Sequence, residues 1–143
     1  MPGDDPPRQP LITRLPAEQL PLVNRLYRQY QRGMKARGDQ HVWVARNPQI
    51  TASLCLQPIE QCWWLTGLLV APGERGKRLA SQLLQTVRAH YQNDIWLFCN
   101  PALAPLYSLN GFQSSDMAPA PLRDRLARYQ RSKSLIAMVN PGR

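Results

Sequence analysis

The residue types best suited to chemistry in this chain are the cations of Arg75-Gly76-Lys77-Arg78, set between an apolar run and an amphipathic stretch. Upstream, Cys62-Trp63-Trp64-Leu65-Thr66-Gly67-Leu68-Leu69-Val70 is aromatic and aliphatic, as a mostly buried strand should be. Downstream, Leu79, Ala80, Leu83, Leu84, Val87 and Tyr91 recur at helical spacing, with Gln82, Gln85 and Arg88 on the other face. The join therefore reads as strand, basic loop, helix start. Free amides at a helix N-terminus, the positive end of its dipole and the side chains of Arg75, Lys77 and Arg78 make an anion site suited to a pyrophosphate. A basic first turn with no ligand is the competing reading.

A second segment sharpens the first. Asn100-Pro101-Ala102-Leu103-Ala104-Pro105-Leu106-Tyr107-Ser108-Leu109-Asn110-Gly111-Phe112 follows another strand-like run, Ile95-Trp96-Leu97-Phe98-Cys99. The two segments in this order resemble the GNAT superfamily of acetyl-CoA-dependent N-acetyltransferases. In that family an Arg-Gly-rich loop after the fourth strand holds the CoA pyrophosphate, and an Asn, a Tyr and a Gly-Phe pair mark the helix after the fifth. The matching positions here are Arg75-Gly76, Asn100, Tyr107 and Gly111-Phe112.

The resemblance implies a role for each matched position. Arg75, Gly76, Lys77, Arg78, Leu79 and Ala80 would surround the phosphates, and the backbone of Leu68, Leu69 and Val70 would pair with the pantetheine arm like an added strand. An amide at that level would polarise the thioester carbonyl, and Gly67 would supply the accompanying bulge. Arg78 departs from the pattern, because the family usually has glycine there. Its side chain either points outward to a phosphate or narrows the cradle; helical backbone angles at Arg78 would favour the first. Tyr107, four residues before Gly111, matches the family's general acid. A phenol of pKa about 10 can donate a proton to a sulfur of pKa about 8.5. Asn100 precedes Pro101, so it is placed to cap the helix as well as to meet the cofactor. Pro105 delays the helix start to the turn before Leu106, which leaves the orientation of Tyr107 less defined than its spacing.

The general base is harder to name. Family members use a carboxylate, a histidine or ordered water. Glu60 and His41 are the candidates; a turn residue and a strand edge are their plainer readings. His41 and His90 are too few for a metal site. Cys55, Cys62 and Cys99 lie in apparent strands without paired spacing, so they read as buried free thiols.

A chain of 143 residues suits one domain. Residues 1–10, acidic and proline-rich, read as a disordered arm and residues 11–143 as a single domain. No signal peptide or bilayer-length apolar run is evident, which predicts a cytoplasmic protein without membrane attachment. The net charge of +9 invites a polyanion. Yet Arg123, Arg125, Arg128, Arg131 and Lys133 fit a solvated helix face at least as well, and no nucleic-acid reader motif accompanies them. The sparse carboxylates argue against strongly cationic acceptors.

The elements that must position these residues follow from periodicity. Leu11-Ile12-Thr13-Arg14 is a short strand. A helix starting at Pro16 carries Leu20, Val23, Leu26, Tyr27 and Tyr30 as its apolar stripe, with Pro21 either tolerated or splitting it. Residues 31–40 form a mobile loop. Residues 41–46 and 50–57 make a hairpin around Asn47-Pro48-Gln49, and residues 57–61 turn the chain into the next strand. A helix over 121–130 and a strand over 135–139 close the chain. An antiparallel meander followed by a parallel crossover predicts an α/β fold like that of the GNAT acyltransferases, a mixed central sheet of six to seven strands with flanking helices.

The resemblance thus implies an acetyl-CoA-dependent N-acetyltransferase, with acetyl-CoA as co-substrate and direct attack by the amine of a small molecule or protein. A homodimer is left open. The alternatives are a non-catalytic CoA-sensing or partner-binding module on the same fold and a basic nucleic-acid-associated protein.

Overall fold

A computed structural model describes residues 9–76 and 78–142. Most of the predicted arm, residues 1–8, and the predicted phosphate ligand Lys77 lie outside them.

Seven strands form one sheet in the order β1-β2-β3-β4-β5-β7-β6. β1 (Leu11–Arg14), β2 (His41–Arg46), β3 (Ile50–Ile59) and β4 (Cys62–Val70) run as an antiparallel meander. β5 (Ile95–Cys99) joins β4 in parallel, as the intervening helix α2 (Leu79–His90) requires. β7 (Ile136–Asn140) lies antiparallel between β5 and the two-residue β6 (Gln113–Ser114). The remaining helices are α1 (Leu20–Tyr30), α3 (Ala104–Leu109) and α4 (Ala120–Tyr129). The mixed sheet with flanking helices is the expected α/β architecture. None of the described helices is long and apolar enough to cross a membrane.

Strand alternation divides the core between the two sheet faces. Leu65, Ile95, Leu97 and Cys99 point to the face covered by α2 and α3, where Leu79, Leu83, Leu84, Val87 and Tyr107 pack on them. On the opposite face α1 packs over Val42, Val44, Cys55 and Leu69, while α4 covers Trp64, Trp96, Ala137 and Val139 through Leu122. These last two clusters are separate, so that face carries a trough between α1 and α4.

Several expectations change. β3 continues through Pro58, which pairs with Trp63, so the turn shrinks to Glu60 and Gln61. Pro21 falls in the first turn of α1, where a missing N–H costs nothing, and a 3-10 turn at Ala17–Gln19 precedes it. The loop over 31–40 is fastened rather than loose: buried Asn24 accepts from the Ala36 amide at 2.8 Å and donates to its carbonyl at 3.1 Å. Of the three thiols, Cys55 and Cys99 are buried and Cys62 only half-buried.

Candidate functional site

β4 and β5 are paired at only two positions, Trp63 with Ile95 and Trp64 with Trp96. Beyond Trp64 the strands part. The chain itself opens this gap at a bulge in β4. Thr66 pairs with Cys55 and Leu69 with Ser53, leaving Gly67 and Leu68 opposite Leu54 alone. Gly67 takes φ +68, and its carbonyl accepts a 2.7 Å hydrogen bond from the Tyr27 hydroxyl. A Cβ at Gly67 would lie 2.5 Å from Met34 Cε and 3.0 Å from Tyr27 Oη. The expected bulge therefore exists, and Tyr27, read from sequence only as part of an apolar stripe, holds it by reaching across from α1. Burial pushes the Tyr27 phenol well above its ordinary range, and the nearby Cys55 adds to this. It thus stays a neutral donor.

At the end of β4 a 3-10 turn at Pro72–Glu74 leads to Arg75 and Gly76, which has φ +85. Arg75 Nε donates to the Val70 carbonyl at 3.3 Å, drawing its guanidinium back toward the strand end. Arg78 is the N-cap of α2 and adopts φ +61 and ψ +23. This corrects the expectation of helical angles there. Arg78 holds the left-handed conformation that glycine takes freely, at a cost of about 1–2 kcal/mol for an L-residue. A left-handed residue followed by helical Leu79 turns consecutive amides the same way, the backbone pattern of an anion nest. Among the described residues no side chain caps α2, which leaves its first amides beside Arg78 without an intrahelical partner.

Tyr107 lies across the gap on α3, in the same buried cluster as Leu65, Leu79 and Cys99. α3 begins only at Ala104, after a separate 3-10 turn at Pro101–Leu103, with Pro105 in its first turn, so the helix starts late, just before Leu106, as expected. The Tyr107 ring packs edge-on against Phe112 at 5.8 Å, and its hydroxyl has no hydrogen-bond partner among the described residues. Burial, with a smaller contribution from Cys99, pushes its pKa up to about 12. Asn100 accepts from the Ala102 amide at 2.9 Å, the cap read from sequence. Asn110 escaped notice there. Buried, it donates to Ser81 Oγ at 3.0 Å and to the Leu106 carbonyl at 2.8 Å, while its own carbonyl accepts from Asn140 at 3.1 Å. It ties α3 to α2 and β7 and so sets the distance between Tyr107 and the phosphate loop.

Glu60 is not brought to this place. It lies exposed in the β3–β4 turn, beyond the Cys62 end of β4, whereas the loop and Tyr107 gather at the Val70 and Cys99 ends. His41 is near that far end too. Its Nδ1 shares a 2.7 Å hydrogen bond with the Tyr91 hydroxyl, while Trp43 Nε1 donates to the same oxygen at 3.0 Å. Partial burial and then the charges of Arg14 and His90 lower the His41 pKa, which leaves the ring neutral and tied.

The trough between α1 and α4 opens into a cleft of about 860 Å³ on the face away from α2. Trp64, Thr66, Gly67 and Phe98 line it, as does Leu65, which also packs on the α2 side. The cleft thus reaches the gap between the strands from behind. One route from the phosphate loop and one from the opposite face converge where β4 leaves β5.

The model of the acetyltransferase (GNAT) family matches residues 10–112. No curated protein sequence matches the chain. Among solved structures, it is similar to the ribosomal-protein-S18-alanine N-acetyltransferase of Escherichia coli, with TM-score 0.69 and 17% identity over 92% of this chain and 93% of that one. A GNAT family acetyltransferase from Elizabethkingia anophelis with acetyl-CoA bound gives 0.65 and 15% over 93% and 98%. The N-acetylglutamate synthase of Neisseria gonorrhoeae, complexed with coenzyme A and N-acetyl-glutamate, gives 0.70 and 13%, over 96% of this chain but 36% of that one. At these identities the likeness is one of fold.

Proposed function

The chain belongs to the GNAT acetyltransferase family, and we propose that it is an acetyl-CoA-dependent N-acetyltransferase working at the gap between β4 and β5. The observation that carries the reading is this parting of parallel strands, with the uncapped α2 N-terminus at one strand end and Tyr107 on the other side. The residues fit the co-substrate. Free amides at Leu79 and Ala80, the left-handed Arg78 and the Cβ-free Gly76 suit a pyrophosphate, with the Arg75 and Arg78 guanidiniums adding charge. Leu68, Leu69 and Val70 pair with no residue of β5, and that strand edge suits an amide-bearing arm laid as an extra strand. A CoA-bound structural relative supports the same assignment.

Acetyl-CoA supplies an activated acyl group and a thiolate leaving group. On this reading, backbone N–H groups at the bulge stabilise the charge that the thioester carbonyl oxygen gains. Tyr107 keeps its proton at neutral pH and donates a hydrogen bond to the departing sulfur. The acceptor amine enters from the cleft behind the sheet, and with Glu60 at the far end its proton leaves to solvent along that cleft.

Calorimetric titration with acetyl-CoA, followed by thiol release against a panel of amines, tests the reading. One equivalent bound and amine-dependent release are expected. Absence of binding contradicts it, and binding without release on a broad panel favours the CoA-sensing module instead.

A further inference from the structure

We propose that the cleft behind β4 and β5 is an anion-selecting acceptor site, so that the amine acetylated here also carries a carboxylate or a phosphate. The inference rests on the reading of that cleft as the acceptor's entrance, and it names the chemistry that enters.

Five cations from two separate segments line the cleft: Lys35 and Arg37 from the loop after α1, and Arg125, Arg128 and Lys133 from α4 and its following turn. No Asp or Glu lines it. Among the described residues the only ion pair is Arg37 with Asp39, at 3.5 Å and exposed, so the other four face the cleft without a carboxylate. Concentrating like charge around a concave, half-enclosed space is unfavourable unless an anion neutralises it.

Two of the cations are shaped for recognition rather than solvated at random. The Arg125 guanidinium lies 4.4 Å from the Trp64 ring centre, which fixes its plane against the floor of the cleft and leaves its donor edge free. Lys133 sits 5.7 Å over Tyr129. Arg128, one turn beyond Arg125, presents a second guanidinium on the same helix face. Opposite them, Arg37 Nη2 and Gln40 Nε2 both donate to Gln57 Oε1, at 3.3 and 3.2 Å, so the facing wall is held too. The cleft of about 860 Å³ is of the size that takes a small molecule, and its cations stand on two facing walls of that one concavity. An acceptor anchored by its anion at the α4 wall would present its amine along the floor toward Gly67 and the gap. A plain diamine would meet the same five cations as repulsion.

The test uses four amines that differ in the far end: 4-aminobutyrate, phosphoethanolamine, butylamine and putrescine. Binding is read from the indole N–H resonance of Trp64 in full-length protein saturated with coenzyme A, which has no acetyl group to transfer. Both anionic amines are expected to bind at least tenfold more tightly than butylamine, with putrescine weakest, and their ratio tells carboxylate from phosphate. Arg128→Gln, at an exposed position, and Arg125→Gln should each remove about tenfold of that preference while acetyl-CoA affinity stays unchanged. Equal binding of all four amines, a preference for putrescine, or a preference that survives both substitutions overturns the proposal. So does binding of heparin by a protein that takes up neither small anion. Failure of acetyl-CoA to bind instead contradicts the proposed activity, and the four titrations without it still judge the cleft.

Discussion

On the proposed reading, Tyr107 and Arg78 carry the site's most specific chemistry. With a pKa of about 12, Tyr107 would protonate a free thiolate of pKa about 8.5 only at a cost near 5 kcal/mol, so its part is to donate a hydrogen bond as charge builds on sulfur. Tyr107→Phe should lower kcat about 100-fold and leave acetyl-CoA affinity within a factor of two, by steady-state kinetics and calorimetry. Because burial raises this pKa, the acid form persists well above neutrality. The pH profile of kcat should therefore show no falling limb from Tyr107 between pH 7 and 10. A limb there that disappears in Tyr107→Phe would count against the assignment. Arg78 holds a conformation that glycine adopts without strain and also carries charge, and two substitutions separate these properties. Arg78→Gly should melt at the same temperature as the parent or higher, since relief of about 1–2 kcal/mol offsets the looser unfolded chain. It should also bind acetyl-CoA several-fold more weakly, through loss of the cation. Arg78→Val, bulky and β-branched, should lower the melting temperature by several degrees.

At the scale of elements, the gap depends on one strand being bent by a contact from another layer. Gly67→Ala should destabilise the fold by about 1–2 kcal/mol in denaturant, from its positive φ together with crowding by Tyr27 and Met34. Asn24→Ala removes both bonds that pin the loop over 31–40, so it should raise the acceptor KM while leaving that of acetyl-CoA unaltered. Much of this layer was legible in the sequence. β4, the loop and α2 announced themselves by a switch from an apolar run to helical spacing, and Asn100-Pro101 by cap chemistry. The hidden parts are long-range and polar. Tyr27 has an apolar stripe residue's spacing, and nothing local reveals that its hydroxyl meets Gly67, 40 residues away. Asn24, Asn110 and the two-residue β6 leave no periodic trace, because a single buried side chain or a single bridge has no period. The left-handed Arg78 was unreadable for the opposite reason: its residue type argues against the conformation it adopts.

Over the whole molecule, the proposed reading assigns the co-substrate and the acceptor to opposite faces of the sheet. Apolar packing under α2 and α3 holds Tyr107 and the start of α2, while the other face leaves a trough between its two cores, and β4 and β5 part between them. Of the 18 cations behind the net charge of +9, five line the cleft, among them Arg125 and Arg128. That the gap seats acetyl-CoA is the central claim, and backbone amide shifts in isotope-labelled protein titrated with acetyl-CoA test it most directly. Saturable shifts are predicted at Leu68, Leu69, Val70, Gly76, Leu79 and Ala80, with Tyr107 responding from across the gap. Unmoved amides at these positions, or shifts confined to the far end of the sheet around His41 and Tyr91, would contradict it.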